Sequence, residues 1–270
     1  MKAPAFRYAR PESLDEAIAL LVEHGTDARV LAGGQSLMPM LNLRLLQPSV
    51  LVDINRLPLS EIRLQDQTLD IGALARHAEV LYSGEVAHMA PLLKLALPHV
   101  AHLAVRNRGT HGGSCALADP SAEIPACALA LEASFVLRGP RGERRVPAEL
   151  FFRGLYETAL GADELLVRVD YPRAQPGWRY GFQEVARRHG DFAIAGLAAA
   201  ARVEGGVLRE ARLAFFGVAD RPVLVRGASV EELRERTDKM EVSGTRVYPP
   251  PFRRRLVRVL LERVTSSIEK

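Results

Sequence analysis

The chain has 270 residues, 48% hydrophobic and 25% charged, with 36 Lys and Arg against 32 Asp and Glu for a net charge of +4. That suits one large or two moderate globular domains, and the arginines are spread without aromatic interleaving, which argues against nucleic acid as a partner. Two cysteines, Cys115 and Cys127, exclude a disulfide framework or a four-cysteine iron–sulfur site within the chain, and neither a signal core nor an apolar run of the roughly 20 residues that span a bilayer is expected.

In chain order, Ser13-Leu14-Asp15-Glu16 reads as a capping box before an amphipathic helix that ends at Gly25. Residues 28–31 are an apolar run suited to a buried strand. The stretch Ala32-Gly33-Gly34-Gln35-Ser36-Leu37 then turns the chain into a helix. Glycines let backbone N–H groups approach a ligand, and a helix start favours an anion. An ordinary glycine turn is the plain alternative. Residues 50–54 form a second strand, with Asp53 as its polar end.

A strand over 69–74 and a short helix over 76–82 follow. His77 and His88 read as surface residues, lacking partners at metal spacing. A single helix is expected over 92–105, with His99 and His102 in a structural role. A second glycine loop, Thr110-His111-Gly112-Gly113-Ser114, comes next, and then the acidic Asp119 and Glu123. Two such loops can hold a diphosphate between them, and a carboxylate beyond them can accept hydrogen bonds from sugar hydroxyls.

Residues 125–132 suggest a helix, and 135–146 a hairpin around Gly139-Pro140-Arg141-Gly142, with Phe151 and Phe152 as core or interface aromatics. A strand over 164–171 ends at Pro172. The proline- and glycine-bearing 172–178 segment marks a domain boundary, so residues 1–174 and 175–270 are expected to be separate units. Three long strands (179–187, 193–204, 208–218) and two helices make the second an α+β domain with a three-stranded antiparallel sheet. The last helix, 252–264, carries an apolar stripe opposite Arg254, Arg255, Arg258 and Arg263. That arginine face is either solvated or a partner surface.

Eight motifs in one order, AGGQSL, LVDINRL, LDIGAL, RNRGTHGGS, ADPSAEIPA, FFRGLYETAL, DELLVRVDYP and RRHGDFAIAG, resemble the FAD-binding medium subunit of the molybdenum hydroxylases, the family of xanthine and carbon monoxide dehydrogenases. The resemblance covers roughly residues 6–218. It implies an α+β fold: a two-part FAD-binding domain of the PCMH, or vanillyl-alcohol-oxidase-like, type, then the small C-terminal domain. By that resemblance residues 32–37 and 110–114 hold the FAD pyrophosphate, and Glu123 takes ribityl or ribose hydroxyls. A backbone group at Leu166 meets the flavin ring, Phe192 lies against the isoalloxazine, and Asp119 and Gln183 complete the set. An apolar residue is usual at His111, so its ring is expected to point away from the diphosphate. For Phe192 an ordinary core position is the alternative.

The function implied is an oxidoreductase subunit that binds FAD non-covalently, with no metal and no catalytic residue of its own. It passes electrons from clusters on a small [2Fe-2S] subunit, served by a large molybdopterin subunit, to a terminal acceptor, in a cytoplasmic dimer of heterotrimers. A stand-alone FAD-dependent oxidoreductase and a non-catalytic flavin-binding regulatory module are the competing readings.

Overall fold

The strand Val50–Asp53 is buried at every position and pairs in parallel with Arg7–Ala9 on one side and Ala28–Leu31 on the other. The computed structural model describes residues 2–269. Helix Leu14–His24 covers this three-stranded sheet through Ala17, Ile18 and Leu21. Half of the capping box forms as expected, Glu16 N–H donating to Ser13 Oγ at 3.2 Å, while Glu16 Oε2 reaches one residue further back and accepts from Glu12 N–H at 2.8 Å.

A five-stranded antiparallel sheet follows, in the order Ile62–Gln65, Thr68–Gly72, Leu165–Pro172, Ser134–Gly139, Gly142–Pro147. The last pair is the hairpin expected around Pro140-Arg141. Phe135, Phe151 and Phe152 pack together beneath it, Phe135 and Phe151 stacking with centroids 3.9 Å apart. The expected 92–105 helix is broken into Pro91–Ala96, a 3-10 turn Leu97–His99 and Leu103–Arg106. Pro98 and a left-handed Ala101 (φ 43°) stop it, although the apolar spacing runs through.

Beyond Pro172 the sheet has four antiparallel strands, not three: Trp178–Val185, Ala195–Glu204, Val207–Phe216 and Val223–Gly227. The fourth is only five residues and starts directly after Pro222. Period-two alternation sorts the side chains of this sheet. Ala198, Ala214 and Phe216 face helix Glu123–Ala130, all of whose residues are buried, in one core with the five-stranded sheet. Leu197, Ala199, Leu213 and Phe215 face the terminal helix Pro250–Glu269. There Val257, Leu260, Leu261, Val264 and Ile268 are buried, each worth roughly 1.5–3 kcal/mol. Of the arginine face opposite, Arg254 donates to the Asp238 and Met240 carbonyls and Arg258 to the Asp238 carboxylate, so two of the four tie down the preceding helix. Among the described residues no helix is long and apolar enough to cross a membrane.

Candidate functional site

The first glycine loop leaves the parallel sheet at Leu31. Gly34 takes the left-handed turn (φ 72°), and helix Leu37–Asn42 begins three residues later. The N–H groups of Gly33, Gly34, Gln35, Ser36 and Leu37 donate to no protein acceptor among the described residues, and Ser36 makes no side-chain cap. Five consecutive free donors at a turn and helix start form an anion cradle.

The loop is held from behind. Asn55 Nδ2 donates to the Ala32 carbonyl at 2.9 Å and to Asp53 Oδ1 at 2.6 Å. Tyr8 donates its hydroxyl to the other Asp53 oxygen. Burial works to raise the Asp53 carboxyl, but hydrogen bonds from Tyr8 and Asn55 outweigh it and hold the group below its usual range. Asp53 is thus the polar strand end expected of it, used as an anchor. Arg76 then bridges the loops, donating to Asn55 Oδ1 at 2.8 Å and to the Arg108 carbonyl.

The second loop is built differently. Thr110 caps helix His111–Leu117, its Oγ1 accepting from Gly113 N–H at 3.1 Å. His111 and Gly112 donate their N–H groups to the Ala75 and Ala73 carbonyls at 2.9 and 3.0 Å, and Ser114 donates to the Thr110 carbonyl at 3.1 Å. The amides of residues 111–114 are therefore engaged within the protein, while the Thr110 N–H and the Ser114 hydroxyl have no partner among the described residues, so the two loops are not equivalent. What the second loop offers is proximity. A Cβ on Gly33 would lie 2.4 Å from the Arg108 carbonyl oxygen and 2.9 Å from Gly109 Cα. The loops touch, and only glycine permits it.

The His111 ring points into the core, fully buried, and shares a 2.7 Å hydrogen bond with the Tyr171 hydroxyl. Burial pushes it down to about 3, so it is uncharged at neutral pH. His77, expected at the surface, is instead buried against it at 6.5 Å between ring centroids and is pushed down by burial to about 4. Both belong to the floor of the second loop. Cys115 is also fully buried, which removes the nearest thiol from reach of a ligand.

Leu166 is buried in its strand beside a register shift, and the next carbonyl, of Val167, accepts from Ala73 N–H at 3.0 Å. It therefore stands close to the second loop's support. Asp119 has both oxygens engaged, by Ser121 N–H at 2.8 Å and the Tyr156 hydroxyl at 3.1 Å. Gln183 shares its strand face with Gly181 and Val185, which pack toward the terminal helix. Its neighbour Glu184 faces the other way. Phe192 is 75% exposed, so the core alternative for it falls. Its loop is placed by Gly190, whose missing side chain leaves room for the Ala101 carbonyl and the His102 ring.

Glu123 begins helix Glu123–Ala130, is 7% exposed, and makes no side-chain hydrogen bond to another residue among those described. Burial pushes its carboxyl up to about 7, with Glu184 and Asp119 adding, and its own backbone N–H and His99 opposing. The folded chain thus holds a proton that the unfolded chain releases. Apoprotein stability should fall as pH rises from 4.5 to about 7 and level off above, by about 3 kcal/mol for this residue. Melting wild type and Glu123→Gln side by side from pH 5 to 8 isolates that slope from the histidines. Parallel curves would count against it.

Five free N–H donors, a second glycine loop in contact with the first and a buried carboxylate fit a diphosphate-bearing cofactor with sugar hydroxyls. Comparison with known proteins gives the class. Residues 4–174 match the FAD binding domain in molybdopterin dehydrogenases, and residues 180–237 the CO dehydrogenase flavoprotein C-terminal domain. The alpha subunit of the 6-hydroxypseudooxynicotine dehydrogenase complex of Paenarthrobacter nicotinovorans is 43% identical over 219 residues, 80% of this chain and 74% of that one. The carbon monoxide dehydrogenase medium chain of Hydrogenophaga pseudoflava is 43% identical over 220 residues, 81% and 77% of the two chains. A solved carbon monoxide dehydrogenase from Hydrogenophaga pseudoflava superposes with a TM-score of 0.95 at 35% identity, covering 99% of this chain and 98% of that one. The chain belongs to the FAD-binding medium-chain family of the molybdenum hydroxylases. It is an oxidoreductase subunit, and its cofactor is FAD.

Proposed function

We propose that this chain is the electron-transfer subunit of a multi-subunit molybdenum hydroxylase. It accepts electrons from a small [2Fe-2S] subunit, which takes them from a large molybdopterin subunit, and passes them to a terminal acceptor. A cytoplasmic dimer of heterotrimers is the assembly that fits, with 1–174 as the FAD-binding unit and 175–270 as the C-terminal one. The observation that carries the reading is the row of free N–H donors at residues 33–37 set against the second glycine loop.

In this reading the N–H groups of residues 33–37 hold the pyrophosphate through charge-assisted bonds. The Asp53–Asn55–Arg76 chain keeps the two loops in register, using side chains that need not touch the ligand. Thr110 and the Ala73–Ala75 turn hold the second loop rigid, so that its glycines present a close surface rather than donors. Glu123 accepts hydroxyl donors. The exposed Phe192 offers an aromatic face at the surface. Bound FAD supplies the redox chemistry through its isoalloxazine ring, and the protein's part is binding, orientation and local electrostatics.

The isolated chain should hold one FAD that dithionite reduces, yet show no turnover with aldehydes, purines, aromatic acyl thioesters or carbon monoxide. Adding small and large partner chains should restore flavin reduction by substrate. Turnover by the chain alone, with iron and molybdenum absent by elemental analysis, would replace this reading with a stand-alone oxidoreductase. A flavin inert to every reductant would favour the regulatory module.

A further inference from the structure

Strand alternation puts Phe182 and Glu184 on the sheet face that looks toward helix Glu123–Ala130, the face shared with Ala198 and Phe216. The Phe182 ring stacks near Phe216, with centroids 5.7 Å apart, and leans on His99 at 5.0 Å. The Glu184 side chain is only 4% exposed. Its Oε1 lies 3.3 Å from His99 Nδ1, while its Oε2 is buried with no partner. His99 is raised first by Glu184, against burial, with Glu184 and Glu123 both adding charge, and stacks on His189 at 5.6 Å. Glu123 begins the helix that this sheet face meets, and the charges of Glu184 and Asp119 add to the burial that raises its carboxyl.

Two buried carboxyl groups thus lie on facing elements, one of them held against the His99 imidazole with its second oxygen, Glu184 Oε2, unsatisfied. A buried carboxylate oxygen without a donor is costly, so Glu184 Oε2 is a place where an arriving donor gains a bond. Among the described residues no three His, Cys, Asp or Glu side chains gather as a metal group would need. Phosphate is excluded by like charge. Neutral O–H donors remain: they bond carboxylates through short charge-assisted contacts and bring no charge into the site.

We propose that Glu184, positioned by His99, is the second carboxylate of a pair with Glu123 that accepts vicinal hydroxyls of the bound flavin nucleotide. The inference rests on the FAD-binding reading above and adds to it a residue from the C-terminal sheet. The cofactor is then gripped by both parts of the chain, with phosphate at the first loop and hydroxyls at the seam. Strand parity gives Glu184 this role and turns Gln183 away from it.

The hydroxyls belong either to the ribityl chain, present in FMN and FAD, or to the ribose, present in FAD alone. Titrating flavin-free full-length chain with FAD and with FMN separates the two. Glu184→Gln keeps the shape and removes the charge. It should weaken FAD at least tenfold while circular dichroism shows the apoprotein still folded, since the amide keeps the size of the carboxylate. Equal weakening of FMN assigns the ribityl chain, and unchanged FMN assigns the ribose. His99→Ala should weaken FAD in the wild-type background and add nothing in Glu184→Gln, as expected of a positioning residue. If Glu184→Gln and Glu184→Leu both bind FAD as tightly as wild type, the proposal is overturned and the pair is structural. If wild type itself fails to bind FAD, the fault lies with the cofactor reading instead.

Discussion

A Gly33→Val chain is expected to fold and to purify without FAD. The added Cβ would meet backbone, with the Arg108 carbonyl oxygen at 2.4 Å, its carbon at 3.0 Å and Gly109 Cα at 2.9 Å. Backbone cannot rotate aside as a side chain does, so the loops must part. The N–H groups of residues 33–37 then lose their common aim. Each charge-assisted bond to a phosphate is worth roughly 1.5–3 kcal/mol, so misplacing two weakens FAD on the order of a hundredfold or more. The fold survives because the added Cβ presses on the backbone of one loop and on no side chain of the three apolar cores. The cause is contact, not backbone strain: the left-handed residue of this loop is Gly34. Flavin-to-protein ratio and circular dichroism measure the two halves of the expectation. Stoichiometric FAD in Gly33→Val would mean that the loop contact does not shape the site.

Gly112→Val is expected to lose fold and cofactor together. Here a Cβ would lie 2.5 Å from Ala73 Cβ and 2.6 Å from its Cα, inside the main core. Relief requires moving the helix start away from the 73–75 turn, breaking the His111 and Gly112 N–H bonds to Ala75 and Ala73. Overpacking costs about 1–3 kcal/mol, and each buried group left unpaired about the same again. Against a total stability of about 5–15 kcal/mol, that lowers the melting temperature by on the order of 10 °C or more. Gly113→Ala is the control one residue on. Its Cβ would press only on the Thr110 hydroxyl oxygen at 2.5 Å, trading a helix cap of about 1 kcal/mol. Wild-type melting in Gly112→Val would show that the second loop does not need its close seat on Ala73.

Much of this was legible in residue order. Both glycine loops, the capped first helix, the hairpin at Pro140-Arg141 and the buried strand Val50–Asp53 rest on local chemistry that a single stretch of chain carries. Glu123 stood out as an acid just past a glycine loop, with service to the dipole of the helix it begins as the alternative. The misreadings share a cause. His77 looked superficial because its burial comes from His111, 34 residues later, and the 92–105 helix looked continuous because periodicity is blind to a left-handed Ala101. The fourth strand of the C-terminal sheet is too short to stand out in the sequence, and its pairing with Val207–Phe216 is what reveals it.

The sequence by itself determined that two turns could bring backbone donors to an anion, that acids follow them, and which family shares that order. Glycine, helix caps and apolar periodicity act within a few residues, so a linear reading reaches them. Only the tertiary structure decided which amides are free. That depends on whether a carbonyl from another element has already taken each one, as Ala73 and Ala75 take those of Gly112 and His111 while nothing takes those of residues 33–37. It also decided that Asn55 and Arg76 tie the loops together, and that Glu184 rather than Gln183 lies on the sheet face that meets helix Glu123–Ala130. A strand shows alternate residues to opposite faces, and which face meets the helix is settled by packing.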